Sequence, residues 1–387
     1  MRDGIATQRL RTEPEARSPV ARCHSGPLEK EDRMDARLKV GVIGCGQIAQ
    51  IAHLPYLQEL PMFEIGAVCD VSPTVVDAVG ERFGVSRRYQ QLSELVKQQD
   101  LDAVLVTNKN HAEPAIAAME AGKHALVEKP IALNLAQADE MIAAARRNRV
   151  KLMVGYMKLY DPAFQLAQEQ IAGMGKIHLI RVHDFAGSYK INPEIYDLVV
   201  ATDEERGMLA ESSKQDQRDM LEDLGSDRSD LLEAHDIMIH LAIHDINALH
   251  ALRGLPDRIV GARLYDGTIV TALLEYEDGV RCMWETGNLV DLVEWDEHIK
   301  VWGADRRVEI KFPFPYLKNA ATEIIIEMNE GSSAVRKRIL TSYDEAFKRE
   351  WRHFYDCVRH DREPRTNGEM AREDLAFAVK LMKSATA

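Results

Sequence analysis

Two spacings in this sequence carry chemistry that is readable from residue type alone. The first is Gly44-x-Gly46-x-x-Ala49, placed between an apolar run at 39–43 and a helical pattern at 48–60. Gly44 allows a tight turn, Gly46 lets backbone N–H groups approach a pyrophosphate, and Ala49 lets helix and strand pack closely. Gln47 and Ile48 open the helix, whose N-terminus favours phosphate. Asp70 follows Gly44 by 26 residues and ends the second apolar run. Its carboxylate is placed to accept hydrogen bonds from an adenosine ribose diol and to repel a 2′-phosphate, which favours NAD over NADP. The second spacing is His240-x-x-x-His244, with Asp236 one turn earlier. An i, i+4 pair shares one helix face, and an imidazole near its ordinary pKa moves protons at neutral pH. The same spacing suits a metal ion. No Glu follows His240 and no Cys is near, so no metal is expected.

The glycine loop needs a strand before it and a helix after it, and the chain supplies that grammar. Strand-like runs at 64–69, 103–106, 125–127 and 152–154 alternate with helical patterns at 73–83, 113–121 and 135–147. Such alternation implies parallel strands joined by crossover helices. After Tyr156 the pattern changes. A helix at 162–171 precedes strand-like runs at 177–185, 258–264, 269–276, 280–286, 298–301 and 308–311, with Glu277-Asp278-Gly279 as a hairpin signal. One long helix, 237–252, carries both histidines, and two helices at 345–359 and 371–384 close the chain. The expected fold is therefore an α/β N-terminal Rossmann domain at 37–157. An α+β C-terminal domain at 158–387 follows, with a large, mostly antiparallel open sheet. Residues 1–36, polar and Arg-rich, read as a disordered extension, within which Met34 is a second candidate start.

Composition narrows the partners. The formal net charge of -13 argues against nucleic acid and anionic membrane. Much of it lies in residues 186–236, which hold 14 acids and 5 bases. This acidic stretch, about 187–234, reads either as a solvated, partly disordered loop or as a lid or oligomer arm. The five cysteines (Cys23, Cys45, Cys69, Cys282, Cys357) are scattered without a C-x-x-C pair, which fits a reducing cytoplasm. No apolar run approaches the ~20 residues of a membrane helix.

Four motifs then occur in order: the glycine loop with Ile48-Ala49 and His53-Leu54-Pro55; Ala121-Gly122-Lys123-His124 leading to Glu128-Lys129-Pro130; Val154-Gly155-Tyr156 followed by Asp161-Pro162-Ala163; and Ile243-His244-Asp245-Ile246. Together they make residues 38–385 resemble the Gfo/Idh/MocA family of oxidoreductases. The resemblance implies a soluble, NAD-dependent enzyme acting on a CH–OH group of a sugar, glycoside or cyclitol. It also implies a homodimer or homotetramer formed through the open face of the second sheet. Lys129 is then the substrate-facing lysine that polarises the reacting oxygen, and His244 is the proton acceptor and donor. His240 stands where the family often has an aspartate, and Asp236 is a candidate substitute. Thr107, Asn108, His111 and Glu128 are expected on the nicotinamide side. Lys158, Tyr156, Tyr160, Trp284 and Asn288 are candidate substrate contacts, and Asp245 reads as structural. Two other functions stay open for such a chain. One is a redox-neutral enzyme that retains NAD while cleaving or eliminating. The other is a sensor that binds the nucleotide without catalysis.

Overall fold

A computed structural model describes residues 37–188, 192–208, 210–225, 227–289 and 291–386. The expected N-terminal extension, Met34 and Cys23 lie outside the described residues. Six short, apolar, fully covered strands build the first sheet: β1 (Leu38–Ile43), β2 (Phe63–Cys69), β3 (Arg88–Tyr89), β4 (Ala103–Val106), β5 (His124–Val127) and β6 (Leu152–Val154). They lie in the order β3-β2-β1-β4-β5-β6, and every pair is parallel. Strands covered by helices on both faces read as continuous apolar runs, as Ala103–Val106 does. The order reverses between β1 and β4, so the crevice at their carboxyl ends is where such sheets take ligands.

The second sheet has nine strands. They are β7 (Ile177–Ala186), β8 (Arg258–Tyr265), β9 (Ile269–Glu275), β10 (Arg281–Asn288), β11 (Asp296–Gly303), β12 (Arg306–Lys311), β13 (Glu323–Glu330), β14 (Ser333–Leu340) and β15 (Ala385–Thr386). Their order is β14-β13-β12-β11-β7-β10-β9-β8-β15, antiparallel except for β7 with β10 and β8 with β15. One face packs under helices. The hairpin β13–β14 was not expected from the sequence. Ile324-Ile325-Ile326 does not alternate, and the edge strand β14 carries Arg336, Lys337 and Arg338. Charged edges are how sheets avoid further pairing.

Two helices depart from regular α geometry, and both carry site residues. The helix after the glycine loop contains a π-turn at Ala49–His53 before Leu54–Glu59. The expected long helix starts earlier, as Leu232–Ile237, passes through a π-turn at Met238–Ala242 and continues as Ile243–Arg253. Single π-turns inside α-helices are frequent at functional sites. The acidic stretch is helical where described: Asn192–Ile195, Asp203–Met208 and Ala210–Leu224. Its acids serve the first sheet's helices. Asp223 Oδ2 accepts from the Leu135 amide at 2.7 Å, at the start of helix Leu135–Asn148, and Glu222 Oε2 accepts from Asn134 Nδ2 at 2.8 Å. Anionic groups suit a helix N-terminus.

The helix bearing His244 is anchored from behind. Buried Asp374, on the last helix Gly368–Ser384, accepts from Asn247 Nδ2 at 2.7 Å and pairs with His250 Nδ1 at 2.7 Å. Asp374→Ala is expected to destabilise the fold by about 1–3 kcal/mol, because it strands a buried amide and an imidazole. Urea unfolding checks this, and an unchanged midpoint would show that the anchor carries no load.

Candidate active site

The glycine loop folds as its residue types require. Gly44 has φ +87°, and a Cβ there would sit 2.6 Å from the Asn108 amide nitrogen. Gly46 faces open space, with nothing within 4 Å of the position a Cβ would take. That opening above a helix N-terminus fits a pyrophosphate. Asp70 ends β2 with Oδ2 accepting from the Cys45 amide at 2.8 Å and Oδ1 accepting from the Ser72 amide at 2.9 Å. It thus ties the glycine turn to the second strand–helix turn. Glu205, from the acidic stretch, reaches the same turn and accepts from the Thr74 amide at 3.1 Å and from the Thr202 amide at 2.7 Å. These amides hold its carboxyl down at about 2, with Thr202 the larger contributor. Gln50, inside the π-turn, exchanges two hydrogen bonds of 2.9 Å with the Val199 backbone. Gln47 hydrogen-bonds Tyr316.

At the carboxyl ends of β4 and β5 lies a cavity of about 330 Å³. Nine of the residues singled out from the sequence line it: Ile48, Thr107, Asn108, His111, Glu128, Lys129, Lys158, His240 and His244. Lys129 follows β5, and its peptide bond to Pro130 is cis. Its ammonium donates to the His240 carbonyl within the π-turn. Burial lowers its pKa, with Glu128 acting in the opposite direction. Glu128 is itself fixed by a relay. Trp351 Nε1 donates to His53 Nδ1 at 3.1 Å, so His53 carries its proton on Nε2, which meets Glu128 Oε1 at 2.9 Å. Glu128 Oε2 accepts from the Lys129 amide at 3.1 Å. His111 Nδ1 donates to the Pro130 carbonyl at 2.6 Å, and burial pushes its pKa down to about 4. The neutral ring therefore has an unprotonated Nε2.

His244 is buried, and burial first, then the ammonium groups of Lys129 and Lys158, lowers its pKa well below the ordinary histidine range. His240 sits nearer the mouth, with Nδ1 3.2 Å from Asp236 Oδ1, and Lys109 Nζ lies 3.2 Å from that same oxygen. Asp236 thus orients His240 from behind and does not line the cavity.

Three acids sit beside these groups, two of which the sequence reading passed over. Asp184 on β7 and Glu297 on β11 are direct cross-strand partners, and both line the cavity. Asp245 is fully buried next to them. Like charges placed opposite each other in a sheet are unfavourable. Lys158 relieves this: its Nζ lies 3.2 Å from Asp245 Oδ1 and directly against Glu297 Oε1. The ammonium takes the position a cation would occupy among three carboxyls. Burial and the neighbouring Asp245 then push the Asp184 pKa well above the usual carboxylate range. Asp184 and Glu297 lie in alternating strands, where an acid looks solvent-exposed until strand register is known. Tyr316, Trp295 and Phe347 complete the wall.

Besides Asp236, four expected substrate contacts do not line the cavity, among them Asn288 at the end of β10. Tyr160 is buried in the core beneath the first sheet, with its hydroxyl 2.9 Å from Thr366 Oγ1. Trp284 is buried in the core under the second sheet. Tyr156 packs edge-on against the His244 ring, with centroids 6.1 Å apart, and supports that ring from outside the cavity wall.

Residues 38–156 match the model of the Gfo/Idh/MocA oxidoreductase family, described as having an NAD-binding Rossmann fold. The chain is 34% identical over 149 residues to a myo-inositol 2-dehydrogenase of Thermotoga maritima, a match covering 38% of this chain and 44% of that one. It is also 34% identical over 160 residues to a dTDP-3,4-didehydro-2,6-dideoxy-alpha-D-glucose 3-reductase of Actinomadura kijaniata, covering 41% and 47%. The chain thus spans less than half the length of these curated relatives. A solved 3-ketoreductase from Actinomadura kijaniata, in complex with NADP and TDP-benzene, superposes with a TM-score of 0.69 at 21% identity. That superposition covers 90% of this chain and 98% of that chain, so the likeness in fold extends over both sheets. No helix among the described residues is long and apolar enough to cross a membrane.

The His244 ring is expected to stay neutral between pH 8 and pH 6, because its pKa is depressed below 6.5. Imidazole NMR shifts measured across that range check this, and a protonation midpoint near 6.5 would contradict the burial of the ring.

Proposed function

We propose that this chain is an NAD-dependent oxidoreductase that interconverts a secondary alcohol and a ketone on a sugar, glycoside or cyclitol. The observation that carries the reading is the convergence of Lys129 and His244 on one cavity that also contains Ile48, Thr107 and Asn108 from the cofactor-binding turns. The names of the relatives, an inositol dehydrogenase and a keto-sugar reductase, support the substrate class. The nicotinamide, when bound, supplies or accepts the hydride. Lys129 hydrogen-bonds the reacting oxygen and offsets negative charge on it. His244, neutral at physiological pH, accepts the hydroxyl proton in oxidation and returns it in reduction. His240 and Lys158 hold neighbouring hydroxyl groups.

Two carboxylates support NAD over NADP. Asp70 and Glu205 both bind amides of the second strand–helix turn. A 2′-phosphate placed there would compete with Glu205 for the Thr74 amide and meet two negative charges. Glu205→Gln is expected to shift the NADP-to-NAD ratio of kcat/KM by roughly tenfold toward NADP, the size of effect that one mispaired charge gives in selectivity. A ratio that stays fixed would remove Glu205 from cofactor choice.

The direct test is a screen of polyols, sugars and glycosides with the purified chain, following absorbance of the reduced cofactor. Wild type is expected to form NADH with at least one class. Lys129→Met is expected to lower kcat/KM by about 10²–10³ while cofactor binding persists. Product formed without net NADH would support the redox-neutral reading instead, and tight cofactor binding without any product would support a sensor.

A further inference from the structure

The opposite face of the same strands carries a second cluster of ligating side chains. His183 on β7 and His298 on β11 are direct cross-strand partners. Their rings stack with centroids 4.7 Å apart and an interplanar angle of 23°. Asp296 lies two residues before His298, so strand alternation puts both on one face. His183 Nε2 is 3.2 Å from Asp296 Oδ2, and His298 Nδ1 is 3.3 Å from Asp296 Oδ1. One ligand atom from each residue falls within 4.8 Å of the other two.

We propose that His183, Asp296 and His298 bind a divalent transition-metal ion, with zinc the best match to two imidazoles and a carboxylate. Tetrahedral zinc with Zn–N and Zn–O near 2.0–2.1 Å has ligand-to-ligand edges of about 3.3 Å. The two nitrogen–oxygen separations are close to that length, each to a different oxygen of the Asp296 carboxylate. The outer partner is present as well. Glu285 Oε1 lies 3.0 Å from His183 Nδ1, the place a carboxylate takes in carboxylate–histidine–metal arrangements. Arg181 Nε donates to that Glu285 oxygen at 2.6 Å and holds it in this outer position. Lys300, on the same face, is engaged with Glu309 at 3.0 Å and does not compete for Asp296.

The consequence is structural. Asp184 and Glu297 alternate with these ligands and face the cavity, so an ion here would clamp β7 to β11 directly behind the two acids. The proposal does not depend on the oxidoreductase reading.

The test is titration of the full chain, stripped with chelator, with Zn²⁺ by calorimetry and with Co²⁺ by visible absorption. One Zn²⁺ per chain is expected to bind with micromolar or tighter Kd, to raise Tm, and to displace Co²⁺ showing the bands of a tetrahedral site. His298→Asn and Asp296→Asn are expected to weaken binding by more than about 100-fold, beyond the roughly 10–100-fold expected for Glu285→Gln. His178→Asn, with an exposed residue on the same strand, is expected to leave binding unchanged. Circular dichroism of each variant separates loss of the site from loss of the fold. Binding only at millimolar Zn²⁺, or stoichiometric binding that survives both His298→Asn and Asp296→Asn, would overturn the proposal.

Discussion

The arrangement depends on keeping the Lys129 ammonium in a buried cavity at the carboxyl end of β5. Burial penalises a charge unless partners replace its water, and the surrounding structure supplies them. Glu128 provides negative charge from the preceding position. It is held by His53, which Trp351 fixes in one tautomer from the helix Ala346–Arg359. The His240 carbonyl in the π-turn takes one ammonium proton. A residue at the carboxyl end of β5 is thus positioned by elements far apart in sequence.

The second sheet meets this site with the reverse problem. The register that pairs β7 with β11 sets Asp184 opposite Glu297, with Asp245 beside them. Lys158, from the turn after β6, neutralises part of this charge, and burial with the neighbouring Asp245 raises the Asp184 pKa. Burial first, then the Lys129 and Lys158 ammonium groups, lowers the His244 pKa. The cavity therefore sets an ammonium, an imidazole whose pKa is lowered and a carboxyl whose pKa is raised side by side.

Much of this was legible in sequence, for identifiable reasons. Parallel strands covered on both faces are written as apolar runs, and Gly44 and Gly46 are demanded by a positive φ and an open approach. His240 and His244 were recognisable by spacing, although a π-turn carries His240 to the cavity where a regular helix was expected. Asp184 and Glu297 were not legible, since a lone acid in an alternating strand looks solvated until its cross-strand partner is known. The helix Ala210–Leu224 was hidden in an acidic stretch because its acids are engaged by helix Leu135–Asn148 and the residue before it, which are distant in sequence. Tyr160 and Trp284 read as substrate contacts from their places near strand ends, but both rings fill core.

The most direct test of the central claim is a crystal structure of the NAD complex. The account expects the nicotinamide ring in the cavity beside Thr107 and Asn108, with its C4 face turned toward Lys129 Nζ and His244. A nicotinamide that lies outside this cavity, or that turns C4 away from both side chains, would contradict it.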